Sequence, residues 1–439
     1  MSARRQLLVL LLLQVDMLAV YAQGRQPQAT ASQRQLYLRQ QQEKLNASHF
    51  DLTVYPLTAK NQTHWQEVLW VVAVLEPELD YVQAALAQIL QSALNPNLQT
   101  HAYTLVRSAL QLTNQLVLHR PQFYQPLQLS LQTIATNSPH PEFVSMAVTT
   151  LYHSGADRNF IYQVLGSFPK RFPNWAANLF LFTTVEHLSF RMSNPPLPPL
   201  LDLLQWQLAP QQPMLYVFCR SDRQQLCFTL LKDKNGKFVR SGEQLWSVPL
   251  LLQSLYSLEW NFYNGRTPQG IYRIEGIIPQ PDDKFFRAYG QFPLIKLFLP
   301  FETGVKYFLS GQEGAFRGNL AEYQQLLPVS WRNYFPIQQS YWAGKLGRSL
   351  FRIHGSGEDP NYFQRLHPDR REWNPTLGCL ASLEIYDSEG NLVQADMPKI
   401  LGALAEHGNP EITGYVVVIE VPPQVTLESV NELIVQWKL

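Results

Sequence analysis

The chain has 439 residues, 46% of them hydrophobic, which is long enough for two or three folded domains. Its formal net charge of +1 argues against a dedicated nucleic-acid-binding protein, because such a protein would carry a basic domain. Its three cysteines are too few for a disulfide-rich scaffold or a four-thiolate zinc site.

Residues 1–22 are predicted to be a signal peptide. Arg4 and Arg5 precede an interrupted apolar run, and Val20 and Ala22 suit a signal-peptidase site. The run falls short of the roughly 20 apolar residues that span a bilayer. We therefore expect an exported chain with no transmembrane helix after cleavage, and a retained anchor is the alternative.

The next 41 residues, 23–63, are rich in glutamine and suit a tether or a solvated helix. From 64 to 208, apolar residues recur at three- and four-residue steps, which predicts an all-α domain. Pro77 and Pro121 lie 44 residues apart, each ahead of an apolar run. This spacing favours HEAT-like helix pairs with a surface for a protein partner, and the alternative is an irregular helical domain.

After the stiff proline boundary at 195–199, the apolar period changes from helical to alternating. The pattern predicts a mostly β domain over residues 213–439, so the fold class is α+β with two domains. Strands are expected at 214–219, 226–231, 270–278, 294–299, 350–354, 380–386 and 415–421, and helices at 398–406 and 427–437.

Cys219 and Cys227 lie on the two arms of one predicted hairpin. In an exported protein they can form a disulfide, and the alternative is a pair of small core side chains.

Cys379 is the cysteine left over. It follows a turn-forming segment and begins an apolar strand, a position that suits a nucleophile. A thiol nucleophile needs a base, and His354, at a strand end before a glycine turn, is the best placed. His367 and His407 are the competing candidates.

Three motifs follow one another in this half: Thr-Pro-Gln-Gly-Ile-Tyr at 267–272, His-Gly-Ser at 354–356 and Thr-Leu-Gly-Cys at 376–379. Over about residues 213–395 the chain resembles the L,D-transpeptidase (YkuD-like) catalytic domain. It departs from that family's pattern at Leu377, where the family usually has His, and at Ala381, where it usually has Arg.

The resemblance implies that His354 takes the proton of Cys379. Ser356 or a backbone carbonyl would orient the imidazole, and N–H groups near Gly378 and Cys379 would stabilise the oxyanion. The thiolate would attack the bond between meso-diaminopimelate and D-Ala in a peptidoglycan stem tetrapeptide. Transfer of the resulting thioester to an amine gives a cross-link, and transfer to water gives L,D-carboxypeptidase activity.

Further substrate contacts are expected from Gly355 and Thr376 of the motifs. Arg352 can replace the missing Arg, and so can an arginine of the long segment between His354 and Cys379, which contains Arg365, Arg370 and Arg371. Trp342 flanks the site in sequence. No metal and no cofactor are expected, because the zinc alternative built on His354, His367 and Cys379 matches no compact ligand spacing. The expected location is the periplasm or envelope of a bacterium. The alternative from another class is a non-catalytic envelope scaffold.

Overall fold

The structure is a computed structural model, and it describes residues 25–279, 283–363 and 372–439. The predicted signal peptide at 1–22 lies outside the described residues. So do His367 and the arginines of the segment between His354 and Cys379, Arg365, Arg370 and Arg371.

The N-terminal half is helical, as the apolar period predicts. On one helix, Val82, Leu86 and Ile89 recur on a single face and are fully buried. The described helices are α1 (Ala31–Glu43), α2 (Gln62–Leu75), α3 (Asp80–Gln91), α4 (Thr100–His119), α5 (Pro121–Tyr124), α6 (Leu127–Asn137), α7 (Pro141–His153), α8 (Arg158–Arg171), α9 (Leu179–Ser193) and α10 (Leu200–Gln205).

Proline begins two of these helices. Pro121 and Pro141 occupy the first helical position of α5 and α7. A backbone N–H at this position has no acceptor within the helix, so proline, which lacks that N–H, is tolerated there. Pro77 instead lies in the connection before α3. The regular HEAT-like stacking therefore stays a prediction.

The C-terminal half is built around one mixed sheet. The described strands of this half, in the main sheet and in two small two-stranded sheets, are β1 (Met214–Cys219), β2 (Phe228–Lys232), β3 (Arg240–Ser241), β4 (Gln244–Leu245), β5 (Gly270–Ile278), β6 (Leu294–Phe298), β7 (Phe351–His354), β8 (Leu380–Ala381), β9 (Glu384–Tyr386), β10 (Leu392–Ala395) and β11 (Thr413–Glu420). The main sheet has the order β2-β1-β11-β5-β6-β7-β8. Its neighbours are antiparallel except at β1–β11 and β7–β8.

Successive apolar side chains point to opposite faces of this sheet, and each face packs in its own hydrophobic core. Leu215 and Val217 of β1 join the cluster covered by α14 (Met397–His407). Tyr216 and Phe218 join the opposite cluster, together with α15 (Leu427–Gln436). The three remaining helices of this half are α11 (Phe286–Tyr289), α12 (Leu320–Gln325) and α13 (Gln339–Lys345). Short 3₁₀ turns lie at Pro27–Ala29, Ala47–Phe50, Ala59–Asn61, Ser92–Leu94, Trp175–Ala177, Asp283–Phe285, Val329–Trp331, Phe335–Gln338 and Pro360–Tyr362.

Cys219 and Cys227 form a disulfide, with their sulfur atoms 2.05 Å apart. Cys219 ends β1, and Cys227 precedes β2, so the bond joins the two arms of the hairpin. Both residues are almost fully buried. Cys379 is therefore the chain's one free thiol.

The helical and β regions share a core. Tyr256 and Phe262, from the loop that precedes β5, pack in the same apolar cluster as the helices. The side chain of Asn114 on α4 donates to the main-chain oxygen of Tyr256 at 2.7 Å. The two regions are therefore tied by packing and by buried hydrogen bonds.

The glutamine-rich segment is partly a docked helix rather than a free tether. The Thr30 hydroxyl caps α1, and the Gln26 N–H donates to the Gly390 carbonyl at 2.7 Å. The Tyr362 hydroxyl donates to the Arg34 carbonyl at 2.9 Å. The polar composition of this segment suggests that it is solvated. Composition gives no indication that its backbone pairs with the β9–β10 hairpin. Within the described part of the chain, no helix combines the length and apolar character needed to cross a membrane.

Candidate functional site

The turn before Cys379 is held by its own side chains. The Thr376 hydroxyl accepts from the Gly378 N–H at 3.1 Å and donates to the Cys379 carbonyl at 2.8 Å. The Thr267 hydroxyl, from the segment before β5, donates to the Gly378 carbonyl at 2.9 Å. Two of the sequence motifs thus meet through these contacts.

Gly378 is required at this turn for two reasons. Its φ of +121° lies in a region that L-residues with side chains rarely adopt. A Cβ atom there would also lie 2.6 Å from Arg348 Nη2 and 2.8 Å from the Gly265 carbonyl. The glycine therefore lets the chain pass close to a buried guanidinium.

Strand pairing places Cys379 and His354 on neighbouring segments. The parallel register sets Ile353 against Leu380 and His354 against Ala381. His354 ends β7, and Cys379 directly precedes β8. The pairing of these two strands therefore fixes the histidine and the cysteine on adjacent stretches of backbone.

His354 is buried and held in one tautomer. Its Nδ1 lies 2.5 Å from the Gly355 carbonyl oxygen, which can only accept, so Nδ1 carries the proton and Nε2 keeps its lone pair. The edge of the Tyr289 ring packs against the imidazole. Burial lowers the pKa of His354 to about 4, and the charge of Arg352 acts in the same direction.

Cys379 is a protonated thiol at rest. Burial raises its pKa to about 11, and the main-chain N–H of Arg352 and the charges of Arg352 and Arg348 oppose that rise. Its Sγ lies 3.8 Å from the Leu350 carbonyl. A neutral thiol and a neutral imidazole suit proton transfer during attack rather than a preformed ion pair.

Ser356 lies beside the site without contacting the imidazole. Its hydroxyl donates to the Arg287 carbonyl at 3.2 Å and accepts from the Asn374 amide at 3.0 Å. It therefore fixes the loop after β7, and the Gly355 carbonyl is the group that orients His354. The Gly378 N–H already donates its hydrogen bond to the Thr376 hydroxyl in this conformation. It is therefore not the free donor that was expected for an oxyanion hole.

Of the other predicted substrate contacts, Gly355 and Arg352 lie near His354 and Cys379, and Trp342 lies elsewhere. Gly355 is packed so closely on Glu384 that a Cβ would lie 1.9 Å from Glu384 Oε2. Arg352 lies directly beside Cys379, and its guanidinium donates to the Phe351 carbonyl at 2.7 Å. Trp342 instead packs against Phe182 of α9, with ring centroids 4.9 Å apart, which assigns it to the interface with the helical region.

Arg348 is a site residue that sequence reasoning missed. Its guanidinium is buried and donates to the carbonyls of Trp260, Gly265 and Arg266. An isolated arginine after a helix gives no local signal of this environment, because its acceptors lie more than 80 residues away.

A second cluster, the Glu259 cluster, consists of Glu259, His153, His187 and Arg266 and lies between the two regions. The Glu259 carboxylate lies 2.8 Å from His153 Nε2, 3.3 Å from His187 Nε2 and 2.5 Å from Arg266 Nη2. Burial raises the pKa of Glu259, but the neighbouring Arg266 and histidines dominate and hold it well below its usual range.

Two histidines and a carboxylate within 4.8 Å are a nominal metal-ligand set. The indole N–H of Trp260, however, donates to His187 Nδ1 at 3.2 Å. A neutral imidazole that binds a metal through Nε2 must carry its proton on Nδ1, which would then face this donor. The residues therefore fit a hydrogen-bonded ion-pair network better than a metal centre.

No family model matches the sequence, and searches of curated proteins and of solved structures give no match.

Proposed function

We propose that this chain is an exported cysteine L,D-transpeptidase that remodels peptidoglycan. The observation that carries the proposal is the parallel pairing of β7, which ends at His354, with β8, which Cys379 directly precedes. The fixed tautomer of His354 adds to it, because the unprotonated Nε2 can act as a base. The buried Cys219–Cys227 disulfide suits an oxidising compartment outside the cytoplasm.

In the proposed reaction, Cys379 Sγ attacks the carbonyl that joins meso-diaminopimelate to D-Ala, and His354 Nε2 accepts the thiol proton. The C–N bond then breaks, His354 returns the proton to the departing D-Ala amine, and a thioester remains on Cys379. An amine of a second stem peptide attacks the thioester, its proton passes to His354, and the thiol is regenerated with a new cross-link. Attack by water instead would release a tripeptide stem.

The local charges suit this cycle. Arg348 and Arg352 both favour negative charge on Cys379 Sγ, which develops as the proton leaves. Leu377 is 43% exposed, and the buried Ala381 is hydrogen-bonded through its backbone to Leu251. Neither residue supplies the His or Arg that the family has there, and among the residues that the structure describes, Arg352 and Arg348 are the cations that act on the thiol.

Product analysis tests the proposal. The purified mature chain, its His354→Ala variant and its Cys379→Ala variant would each be incubated with a disaccharide-tetrapeptide, and products separated by chromatography with mass detection. We expect D-Ala release and cross-linked dimers with the parent chain only, and a tripeptide product would indicate the hydrolytic alternative. Substrate unchanged by the folded parent chain would favour the scaffold alternative.

A further inference from the structure

A serine, a histidine and a glutamate that take no part in the Cys379 site form a hydrogen-bonded chain. The Ser257 hydroxyl lies 2.8 Å from His119 Nε2, and His119 Nδ1 lies 2.6 Å from Glu76 Oε1. A carboxylate oxygen can only accept, so Nδ1 carries the proton, and Nε2 of the neutral ring accepts from the Ser257 hydroxyl. This is the arrangement in which a histidine takes the proton of a serine nucleophile.

The helical region fixes the carboxylate and the imidazole. Glu76 directly follows α2, and its Oε1 also accepts from Gln115 Nε2 at 2.7 Å. Gln115 and His119 lie four residues apart on α4, so that one face of the helix supplies both donors. The side chains of Glu76 and His119 are only 8% and 6% exposed, which holds the imidazole in one orientation.

Ser257 lies on a strained turn. Its φ is +53°, which is unfavourable for a residue with a side chain. Its N–H donates to the Ser254 carbonyl at 2.9 Å, and Asn114 Nδ2 on α4 donates to the Tyr256 carbonyl at 2.7 Å. Serine nucleophiles are carried on strained turns because such a turn exposes the hydroxyl. Ser257 is accordingly partly exposed.

A cleft of about 540 Å³ opens beside this turn, and Ser257, His119 and Leu258 are among the residues that line it. Its size is typical of a small-molecule site. The Leu258 carbonyl accepts from the Arg266 N–H at 2.9 Å, whereas the Leu258 N–H has no acceptor among the residues that the structure describes. Since the N–H of the residue after a serine nucleophile commonly stabilises the oxyanion, Leu258 supplies a donor of the required kind.

We propose that Ser257 is the nucleophile of a second, hydrolytic site, with His119 as its base and Glu76 as a positioning residue. The inference is independent of the reaction proposed for Cys379. Ser257 Oγ attacks the carbonyl of an ester while its proton passes to His119 Nε2. The C–O bond then breaks, and His119 returns the proton to the departing alcohol. Water attacks the acyl-serine, its proton passes through His119 to Ser257 Oγ, and the acid leaves.

The charges of the cleft indicate the class of ester. Three arginines and two acidic residues line it: Arg191, Arg223, Arg266, Asp222 and Glu259. Arg223 is buried and pairs with Glu420 through Nε, and within the described chain its Nη1 and Nη2 atoms have no hydrogen-bond partner. The Arg191 side chain is 23% exposed. An acyl group that carries a carboxylate fits this excess of guanidinium donors.

Phosphonylation tests the nucleophile without a substrate. The mature chain would be treated with a fluorophosphonate, which reacts with activated serines, and the labelled residue located by peptide mass spectrometry. Ser257→Ala, His119→Gln and Ser154→Ala would be compared with the parent chain. Ser154 is a matched control, because it is also partly exposed and its hydroxyl donates to a main-chain carbonyl, that of Leu151.

We expect a label on Ser257 that is absent from Ser257→Ala and unchanged in Ser154→Ala. His119→Gln should slow the labelling by about 100-fold or more, as the loss of a general base does. A folded parent chain without a label at Ser257, or a rate that His119→Gln leaves unaffected, would overturn the proposal. If His119→Gln does not fold, the parent rate decides, since a rate at Ser257 no higher than that of a serine in a short peptide would overturn it.

Two substitutions test Glu76. Glu76→Gln replaces the carboxylate with an amide that no longer fixes the proton on Nδ1, so labelling of Ser257 should slow by about 100-fold or more. Glu76→Asp restores the charge and should recover at least about tenfold of that loss. An unfolding midpoint lowered by Glu76→Gln with an unchanged labelling rate would contradict the positioning role.

Two esters test the substrate class. Hydrolysis of the mono-4-nitrophenyl ester of glutaric acid and of 4-nitrophenyl pentanoate would be measured in the Cys379→Ala chain, so that the thiol contributes nothing. We expect kcat/KM to be about tenfold higher for the glutarate ester, and this preference to fall to within about threefold in Arg191→Gln. Equal kcat/KM for the two esters would overturn the carboxylate-bearing class. Release of 4-nitrophenol no faster than with Ser257→Ala would overturn the hydrolytic site.

Discussion

The chemistry of the candidate site depends on two side chains whose resting states are both neutral. Burial raises the pKa of Cys379 to about 11 and lowers the pKa of His354 to about 4. Both shifts disfavour the charged form, as expected when ionisable groups leave water. In the proposed reaction, the sulfur attacks a substrate carbonyl while His354 accepts the proton, so neither charge has to form beforehand.

The lowered pKa of His354 has a consequence for acid stability. Between about pH 6.5 and 4, the unfolded chain binds a proton at this histidine that the folded chain does not, so stability falls as the pH falls through that range. His354→Gln should remove this part of the loss, which is roughly 3 kcal/mol for a shift of this size. Urea unfolding of both proteins at pH 7 and pH 4 measures it. An equal loss in the two proteins would contradict the buried, neutral histidine.

The Gly378 turn gives a second prediction at this scale. Gly378→Ala should destabilise the chain by about 2–4 kcal/mol, because the new Cβ meets Arg348 Nη2 and a main-chain carbonyl and the backbone has a positive φ. Gly347→Ala is the control, since Gly347 has a φ of +82° with no atom within 4 Å of its Cβ position. Its cost should be only about 1 kcal/mol. Equal costs by chemical denaturation would show that backbone strain alone sets the effect.

At the scale of elements, the site depends on a helix from the far end of the chain. The ring of Tyr37 on α1 lies under the guanidinium of Arg287, 4.0 Å from its centroid, and near the ring of Tyr362. Arg287 in turn accepts the Ser356 hydroxyl through its carbonyl and belongs to α11, which also carries Tyr289. Helix α1 thus braces both loops that flank His354.

Tyr37→Ala should loosen those loops. We expect faster amide exchange at 283–291 and 355–363, by several-fold, with a loss of about 1–2 kcal/mol in stability. Hydrogen exchange read by mass spectrometry would report both loops, and Gln35→Ala, an exposed change on the same helix, would serve as the control. Unchanged exchange in Tyr37→Ala would show that α1 covers the loops without bracing them.

The elements were far easier to predict than the contacts between them. The strands at 214–219 and 270–278 follow from local patterns, and the structure confirms them. The sequence leaves Ser356 or a backbone carbonyl as the group that orients His354, because a motif gives residue types but not side-chain rotamers; in the structure the Gly355 carbonyl has that place. Arg348 and Glu259 were missed because their partners lie far away in sequence.

At the scale of the whole molecule, the helical and β regions are joined by the Glu259 cluster. Its ion pairs link α7 and α9 to the loop before β5, and a further, partly exposed carboxylate, Glu420 of β11, pairs with the buried Arg223 at 2.9 Å. Charges buried this deeply are stable only as complete sets. The two regions should therefore unfold together in a single transition.

Glu259→Gln should break that coupling, because it leaves the Arg266 cation without its 2.5 Å partner. The expected loss is about 3–5 kcal/mol, and the unfolding curve should separate into two transitions when followed by tryptophan fluorescence and by circular dichroism. Glu243→Gln, an exposed carboxylate on the β3–β4 hairpin, should leave both signals superimposed. One sharp transition of parental midpoint in Glu259→Gln would contradict the role of the cluster.

The central claim is that Cys379 forms a covalent acyl-enzyme, and intact-protein mass spectrometry tests it most directly. The mature chain and its Cys379→Ala variant would be mixed with a disaccharide-tetrapeptide and quenched in acid at short times. We expect an adduct with the mass of the substrate less D-Ala, located on Cys379, released by hydroxylamine and absent from the variant. D-Ala release with no adduct at any time, or an adduct that persists in Cys379→Ala, would contradict it.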